Sequence, residues 1–235
     1  MAFSVAAVEA TGATRVFIGA DPWLFNQHVG SKARWTSVEK QYRYWKDVVE
    51  GEAVENAPPL PENSGVTGWS MRLLYGLYNA VNQSELATDN GAVGSQAKRA
   101  RDGELIYAAD YAMMSDERRN STLPRFAKYK MQNYAHSHDR QQLFEQLLAH
   151  LTMRGVEVTL LLSPYHPGSY EIIVENDLEH LNAEARFRDL AERMGITVLG
   201  GYDSRVVGCA TSEFYDGIHP RPSCMAKVLE ATSRR

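Results

Sequence analysis

Short apolar runs bounded by Gly and Pro occur at three places along the chain, and two of them follow stretches with helical periodicity. Arg15-Val16-Phe17-Ile18-Gly19-Ala20 stops at Asp21-Pro22, which marks a buried strand ending there. Glu157-Val158-Thr159-Leu160-Leu161-Leu162-Ser163 is a second strand, terminated by Pro164. Ile196-Thr197-Val198-Leu199 is a third, held between Gly195 and Gly200. Ahead of the second, Leu143, Phe144, Leu147, Leu148 and Leu151 fall on one helical face. Ahead of the third, Leu178, Leu181, Ala185, Leu190 and Met194 form the stripe, with Phe187 off it. Helix, short Gly loop and apolar strand, repeated, predict an α/β fold built on a parallel sheet. An Ala-rich segment from Ala2 to Ala10 reads as a further helix, closed by Gly12.

The region from about residue 35 to 140 breaks this rhythm. Ala57-Pro58-Pro59-Leu60-Pro61 reads as a linker and Asn63 to Gly68 as turn-rich chain, while Trp69 to Val81 is apolar enough for a helix. Asp89 to Ser95 is polar and contains Gly, a loop pattern. Lying between two core strands, the whole stretch is expected to be an inserted helical cap within a single domain spanning residues 1–235. No internal repeat and no low-complexity tract interrupts it.

Composition narrows the classes of partner. The 235 residues are 44% hydrophobic and 23% charged, ordinary for a globular protein, and the formal net charge is -4. That charge offers no general attraction to nucleic acid or to an anionic membrane. Lys98-Arg99-Ala100-Arg101 is a short cluster that reads as a solvated face. No apolar run is long enough to span a bilayer, and Met1 to Ala10 lacks the basic and apolar regions of a signal peptide. A soluble, cytoplasmic protein is the default expectation. Cys209 and Cys224 are too few for a disulfide framework and lack metal-site spacing, so reduced or buried thiols are expected, with one disulfide as the alternative.

The candidate chemistry lies near the C-terminus. Asp216-Gly217-Ile218-His219-Pro220 sets a carboxylate three residues before an imidazole, with Gly217 allowing a tight turn. An acid at that spacing can hold one imidazole nitrogen and raise the basicity of the other. Ser223 follows as an expected N-cap of a closing helix whose apolar side carries Met225, Val228 and Leu229. Ligands of open α/β sheets sit beyond the carboxyl ends of the strands. Three segments converge on that rim: Gly19-Ala20-Asp21, Ser163-Pro164-Tyr165-His166-Pro167, and Asp216 to His219.

The Asp-x-x-His-Pro loop leading into a terminal helix resembles the last motif block of the SGNH/GDSL hydrolase superfamily. The resemblance implies a three-layer, flavodoxin-like sheet and a Ser-His-Asp triad, with His219 as general base and Asp216 as its orienting acid. Gly19-Ala20-Asp21 resembles the family's Gly-x-Asn-Asp block, although Asp21 stands where an Asn would help form an oxyanion hole, and an ionised carboxylate donates no hydrogen bond. Asp21-Pro22-Trp23-Leu24-Phe25-Asn26 looks like a branch associated with bacterial cell-surface polysaccharide loci. The alternative for Asp21 is a turn former or helix N-cap. In the same branch Ser163 to Pro167 matches the exit of the fourth strand, where Tyr165 and His166 would line a pocket and the prolines stiffen the loop. Ser163 is not where the family places its nucleophile.

The family's Gly-Asp-Ser nucleophile block is not found, because Gly201-Tyr202-Asp203-Ser204 follows the last core strand and is out of order. The first strands of the family fold are likewise not identified. Three expectations follow: a chain that continues upstream of Met1, a degenerate hydrolase that binds without catalysis, or a nucleophile supplied from elsewhere. The implied activity is ester hydrolysis or O-acyl transfer on an acylated carbohydrate or other small ester, with no metal or organic cofactor. Without earlier strands, Arg15 to Ala20 would present an unpaired edge that a homodimer could cover.

Overall fold

The computed structural model of the protein describes residues 8, 12–28, 39–51, 98–99, 105–107, 109–131, 134–176 and 179–230. In chain order the elements are β1 (Arg15–Gly19), α1 (Glu39–Glu50), β2 (Lys98–Arg99), β3 (Leu105–Ile106), α2 (Ala109–Ala112) and α3 (Asp116–Met131). They continue with α4 (His138–Met153), β4 (Glu157–Leu162), α5 (Pro167–Glu175), α6 (Asn182–Met194), β5 (Thr197–Gly200) and α7 (Pro222–Glu230). The linker at 57–61, the turn-rich chain at 63–68, the helix expected at 69–81 and the loop at 89–95 lie outside the described residues. Of the helix expected over Ala2 to Ala10, Val8 is described and helical, and Gly12 closes it at φ 63° with its N–H on the Val8 carbonyl at 2.8 Å.

Three strands form one open parallel sheet in the order β1-β4-β5, which makes the chain α/β. Arg15 pairs with Glu157 at the start of the β1-β4 ladder, and Leu162 with Gly200 at the end of the β4-β5 ladder. The central strand is the most buried, because it is paired along both edges and its side chains pack against α4 and α6. Among the described residues no strand pairs with the outer edge of β1, whose Phe17 is 55% exposed. Gly200 closes β5 at φ 76°, and a Cβ there would lie 2.2 Å from the Leu162 carbonyl oxygen, so this close approach requires glycine. Among the described residues, no helix is long and apolar enough to cross a membrane.

The core is organised around Phe25, which the chain delivers from a 3₁₀ turn, Pro22–Phe25, directly after β1. Phe25 lies on Phe187 with ring centroids 4.3 Å apart and meets Phe144 edge-on at 5.7 Å. The expected stripe of α4 holds, with Phe144, Leu147, Leu148 and Leu151 fully buried. That of α6 is corrected. Its buried face is Ala183, Phe187, Leu190 and Ala191, while Ala185 is exposed. The helix starts at Asn182, so the i, i+4, i+7, i+8 series runs from Ala183 and brings Phe187 to the centre.

Two further expectations are corrected near the C-terminus. Cys209 and Cys224 are joined in a disulfide rather than held as thiols, and they pack with Phe214 in a small buried cluster. Helix α7 begins at Pro222, whose fixed φ suits the first helical position, so Ser223 lies inside the helix and not at its cap. Its buried residues are Cys224 and Val228, and Leu229 is 46% exposed. The face turned inward is thus set by the disulfide partner as well as by apolar periodicity.

Candidate active site

Each expected site segment follows the carboxyl end of a strand or the chain just beyond it, and hydrogen bonds fasten the three together. After β1, the Ala20 N–H bonds to the Leu161 carbonyl at 2.9 Å. After β4, the Tyr165 N–H bonds to the Tyr202 carbonyl at 2.9 Å and the His166 N–H to the Gly217 carbonyl at 3.1 Å. The last bond ties the Asp216–His219 loop to the β4 exit. The loop itself is a tight reversal, with the Tyr215 N–H on the His219 carbonyl at 2.9 Å and the Arg221 N–H on the Glu213 carbonyl at 2.8 Å.

Asp216 organises this reversal from inside. Its Oδ1 accepts the Ile218 and His219 amides, each at 2.8 Å, an arrangement that Asp favours in turns. Its Oδ2 accepts from His219 Nδ1 at 2.7 Å and from the Tyr111 hydroxyl. Four donors therefore surround a carboxylate that is only 1% exposed. Burial by itself would raise its pKa. The His219 charge and the hydrogen bonds from His219, Tyr111 and the Ile218 amide outweigh that, and the carboxyl sits below its ordinary range.

An ionised Asp216 can only accept, so His219 Nδ1 is the donor in this bond, which leaves Nε2 as the ring's other nitrogen and, in the neutral imidazole, the one with the lone pair. The His219 side chain is 44% exposed, which leaves it accessible from solvent. Among the described residues, no serine hydroxyl hydrogen-bonds to Nε2. Beside the ring stands a cluster of tyrosines: Tyr107 lies 6.0 Å from His219, 4.3 Å from Tyr215 and 5.1 Å from Tyr111, centroid to centroid. Arg221 lies over Tyr215 and donates to the Ala112 carbonyl at 2.5 Å, which fastens α2 to this loop.

Asp21 occupies the N-cap position of the 3₁₀ turn, yet its side chain makes no capping bond. Burial raises its pKa above the usual carboxylate value, and the nearby His219 charge offsets this only in part. Its carboxyl is within electrostatic reach of the imidazole and is not engaged by the backbone of its own turn. Gly19, the last residue of β1, is exposed, and a Cβ there would come no nearer than 4.0 Å to Asp21 Oδ2.

The β4 exit holds its rings more deeply than the sequence suggests. Ser163 is partly buried, whereas Tyr165 and His166 are 3% and 2% exposed. Tyr165 stacks on Tyr202 at 5.1 Å, and His166 Nδ1 accepts the Gly168 N–H at 3.1 Å as the N-cap of α5. Burial, with the Arg119 charge next, lowers the His166 pKa and keeps the ring neutral. The displaced Gly-Asp-Ser letters are structural: Asp203 caps a 3₁₀ turn and pairs with Arg205, while Ser204 is fully buried.

Two contributors escaped the sequence. Tyr111 belongs to no recognisable motif. Asn26 is buried, and its Oδ1 accepts the His28 N–H at 3.1 Å and the Ala135 N–H at 3.2 Å, joining the β1 exit to the chain entering α4. An Asn directly after an aromatic turn is its only sequence signal. Comparison of the chain with protein-family models, with curated proteins and with solved structures finds no match.

Proposed function

We propose that the protein is an SGNH-like ester hydrolase or O-acyltransferase acting on an acylated carbohydrate or another small ester. The observation that supports this reading is the Asp216–His219 pair, a saturated buried carboxylate holding Nδ1 of a solvent-accessible imidazole at 2.7 Å. In the proposed reaction His219 Nε2 takes the proton of a hydroxyl nucleophile as its oxygen forms a bond to the acyl carbon. Collapse of the tetrahedral intermediate breaks the ester bond, and the imidazolium returns the proton to the departing alkoxide. Asp216 orients the ring and stabilises the imidazolium. The family resemblance supplies the nucleophile as a serine and the carbohydrate ester as the substrate class, together with the three-layer arrangement of the fold.

A second reading, a catalytically inactive SGNH-like binding or scaffold protein, is favoured by two observations. No described serine bonds to Nε2, and residue 21 carries a carboxyl where the family has an amide. Hydrolysis of p-nitrophenyl acetate by the protein and by a His219→Ala variant separates the two. The hydrolase reading expects kcat/KM to fall by about 10²–10⁴ in the variant. Equal rates remove His219 from catalysis and leave the binding reading.

A further inference from the structure

We propose that Tyr111 is a positioning residue that sets the proton affinity of the His219–Asp216 pair by sharing Asp216 Oδ2 with the imidazole. The inference rests on the hydrolase reading for its kinetic arm only. Tyr111 comes from α2, a single helical turn far away in sequence, yet its hydroxyl donates to the same oxygen that accepts from His219 Nδ1. The other oxygen, Oδ1, is fully used by the two loop amides. The charge that faces the imidazole is therefore divided between one phenol and one ring N–H.

Two features hold the phenol in that role. Burial and the adjacent Asp216 charge both push the Tyr111 pKa up, so the hydroxyl keeps its proton and acts only as a donor to this carboxylate. The ring is stacked on Tyr107, which also touches Tyr215 and His219, and α2 is anchored through Arg221 on the Ala112 carbonyl. A phenol held this way withdraws charge from Oδ2 and so weakens its hold on an imidazolium. The other groups acting on this neighbourhood are Asp21 from the β1 exit, His166 from the β4 exit, Arg119 from α3 and Tyr107.

The experiment compares the full chain with Tyr111→Phe, which keeps the ring and removes only the donor. Proton NMR follows the His219 Nδ1–H resonance, identified by its loss in His219→Ala, and the kcat/KM–pH profile follows ester hydrolysis. Tyr111→Phe is expected to move the Nδ1–H resonance downfield and to shift the acidic limb of the profile toward higher pH. Site-specific 3-fluorotyrosine at 111, a stronger donor of nearly the same shape, is expected to move both in the opposite direction and serves if the Phe variant does not fold. A resonance that moves in a protein without esterase activity would sustain the positioning role while defeating the hydrolase reading. A resonance and a limb unmoved by either replacement would overturn the proposal.

Discussion

The Tyr202 hydroxyl donates to the Ala20 carbonyl at 2.6 Å, so a side chain two residues beyond β5 reaches across the intervening β4 to the residue after β1. Both residues are fully buried, and the Tyr202 ring stacks on Tyr165 on the way. One side chain therefore braces the ends of all three strands directly behind Asp21. Tyr202→Phe leaves the Ala20 carbonyl without this donor. The expected cost is about 1–3 kcal/mol, seen as a lower midpoint with unchanged m-value in urea unfolding. An unchanged midpoint would show that the brace contributes nothing.

His166 gives the fold an acid sensitivity. Its folded pKa is depressed, burial being the main cause, while the unfolded ring titrates at about 6.5. The unfolded chain then binds the proton more readily, so this contribution to stability is present above that value and is lost as pH falls below it. Protonation also removes the Nδ1 lone pair that caps α5. His166→Asn retains a capping oxygen without titrating in this range, and its melting temperature is expected to fall less between pH 7 and 5 than that of the parent. Parallel declines would exclude His166 as the source.

Asp21 carries the opposite sign. Its folded pKa is raised by burial, so whatever it contributes to stability is present below the unfolded carboxylate value and is lost as pH rises through the folded one. Asp21→Asn is expected to be more stable than the parent at pH 7, with the difference closing as the solution is acidified. On the proposed hydrolase reading, the same change would put an amide donor where the family resemblance expects an oxyanion contact, and p-nitrophenyl acetate hydrolysis is then expected to accelerate. A stability gap that does not depend on pH would contradict the assignment of the shift to this carboxyl.

The disulfide closes a loop with a sequence separation of 15 that contains both Asp216 and His219. For a loop of this length the unfolded-state restriction is worth about 3 kcal/mol. Thermal unfolding with and without a dithiol reductant, beside a Cys209→Ala/Cys224→Ala variant, is expected to show the reduced protein and the variant melting together below the oxidised form. Identical melting in all three would mean that the bridge does not constrain the unfolded chain.

The three strands were legible as short apolar runs that Gly and Pro punctuate at Pro22, Pro164 and Gly200, but the burial expected of the first is corrected: β4 alone is largely buried, whereas β1, with one edge unpaired among the described residues, alternates exposed and half-buried positions. The Asp216–His219 pair was legible for the same local reason, since its partners lie within one turn. Phe187 falls off the apolar stripe that Leu178 and Leu181 suggest, because Leu181 belongs to a 3₁₀ turn and the α-helical phase begins only at Asn182. The state of the two cysteines depends on how α7 packs against the chain after β5, which spacing alone does not encode. Tyr111 was invisible for a related reason. Its role arises from a contact with Asp216 across 105 positions, in a stretch without core periodicity.

The Cys209–Cys224 bond has a consequence for limited proteolysis. A single cleavage anywhere between those residues opens the backbone without releasing a fragment, because both new ends stay covalently joined. A nicked molecule would run intact on a non-reducing gel and divide only after reduction. Whichever side of the cut Asp216 and His219 fall on, neither could diffuse away from the rest of the chain while the bridge survives.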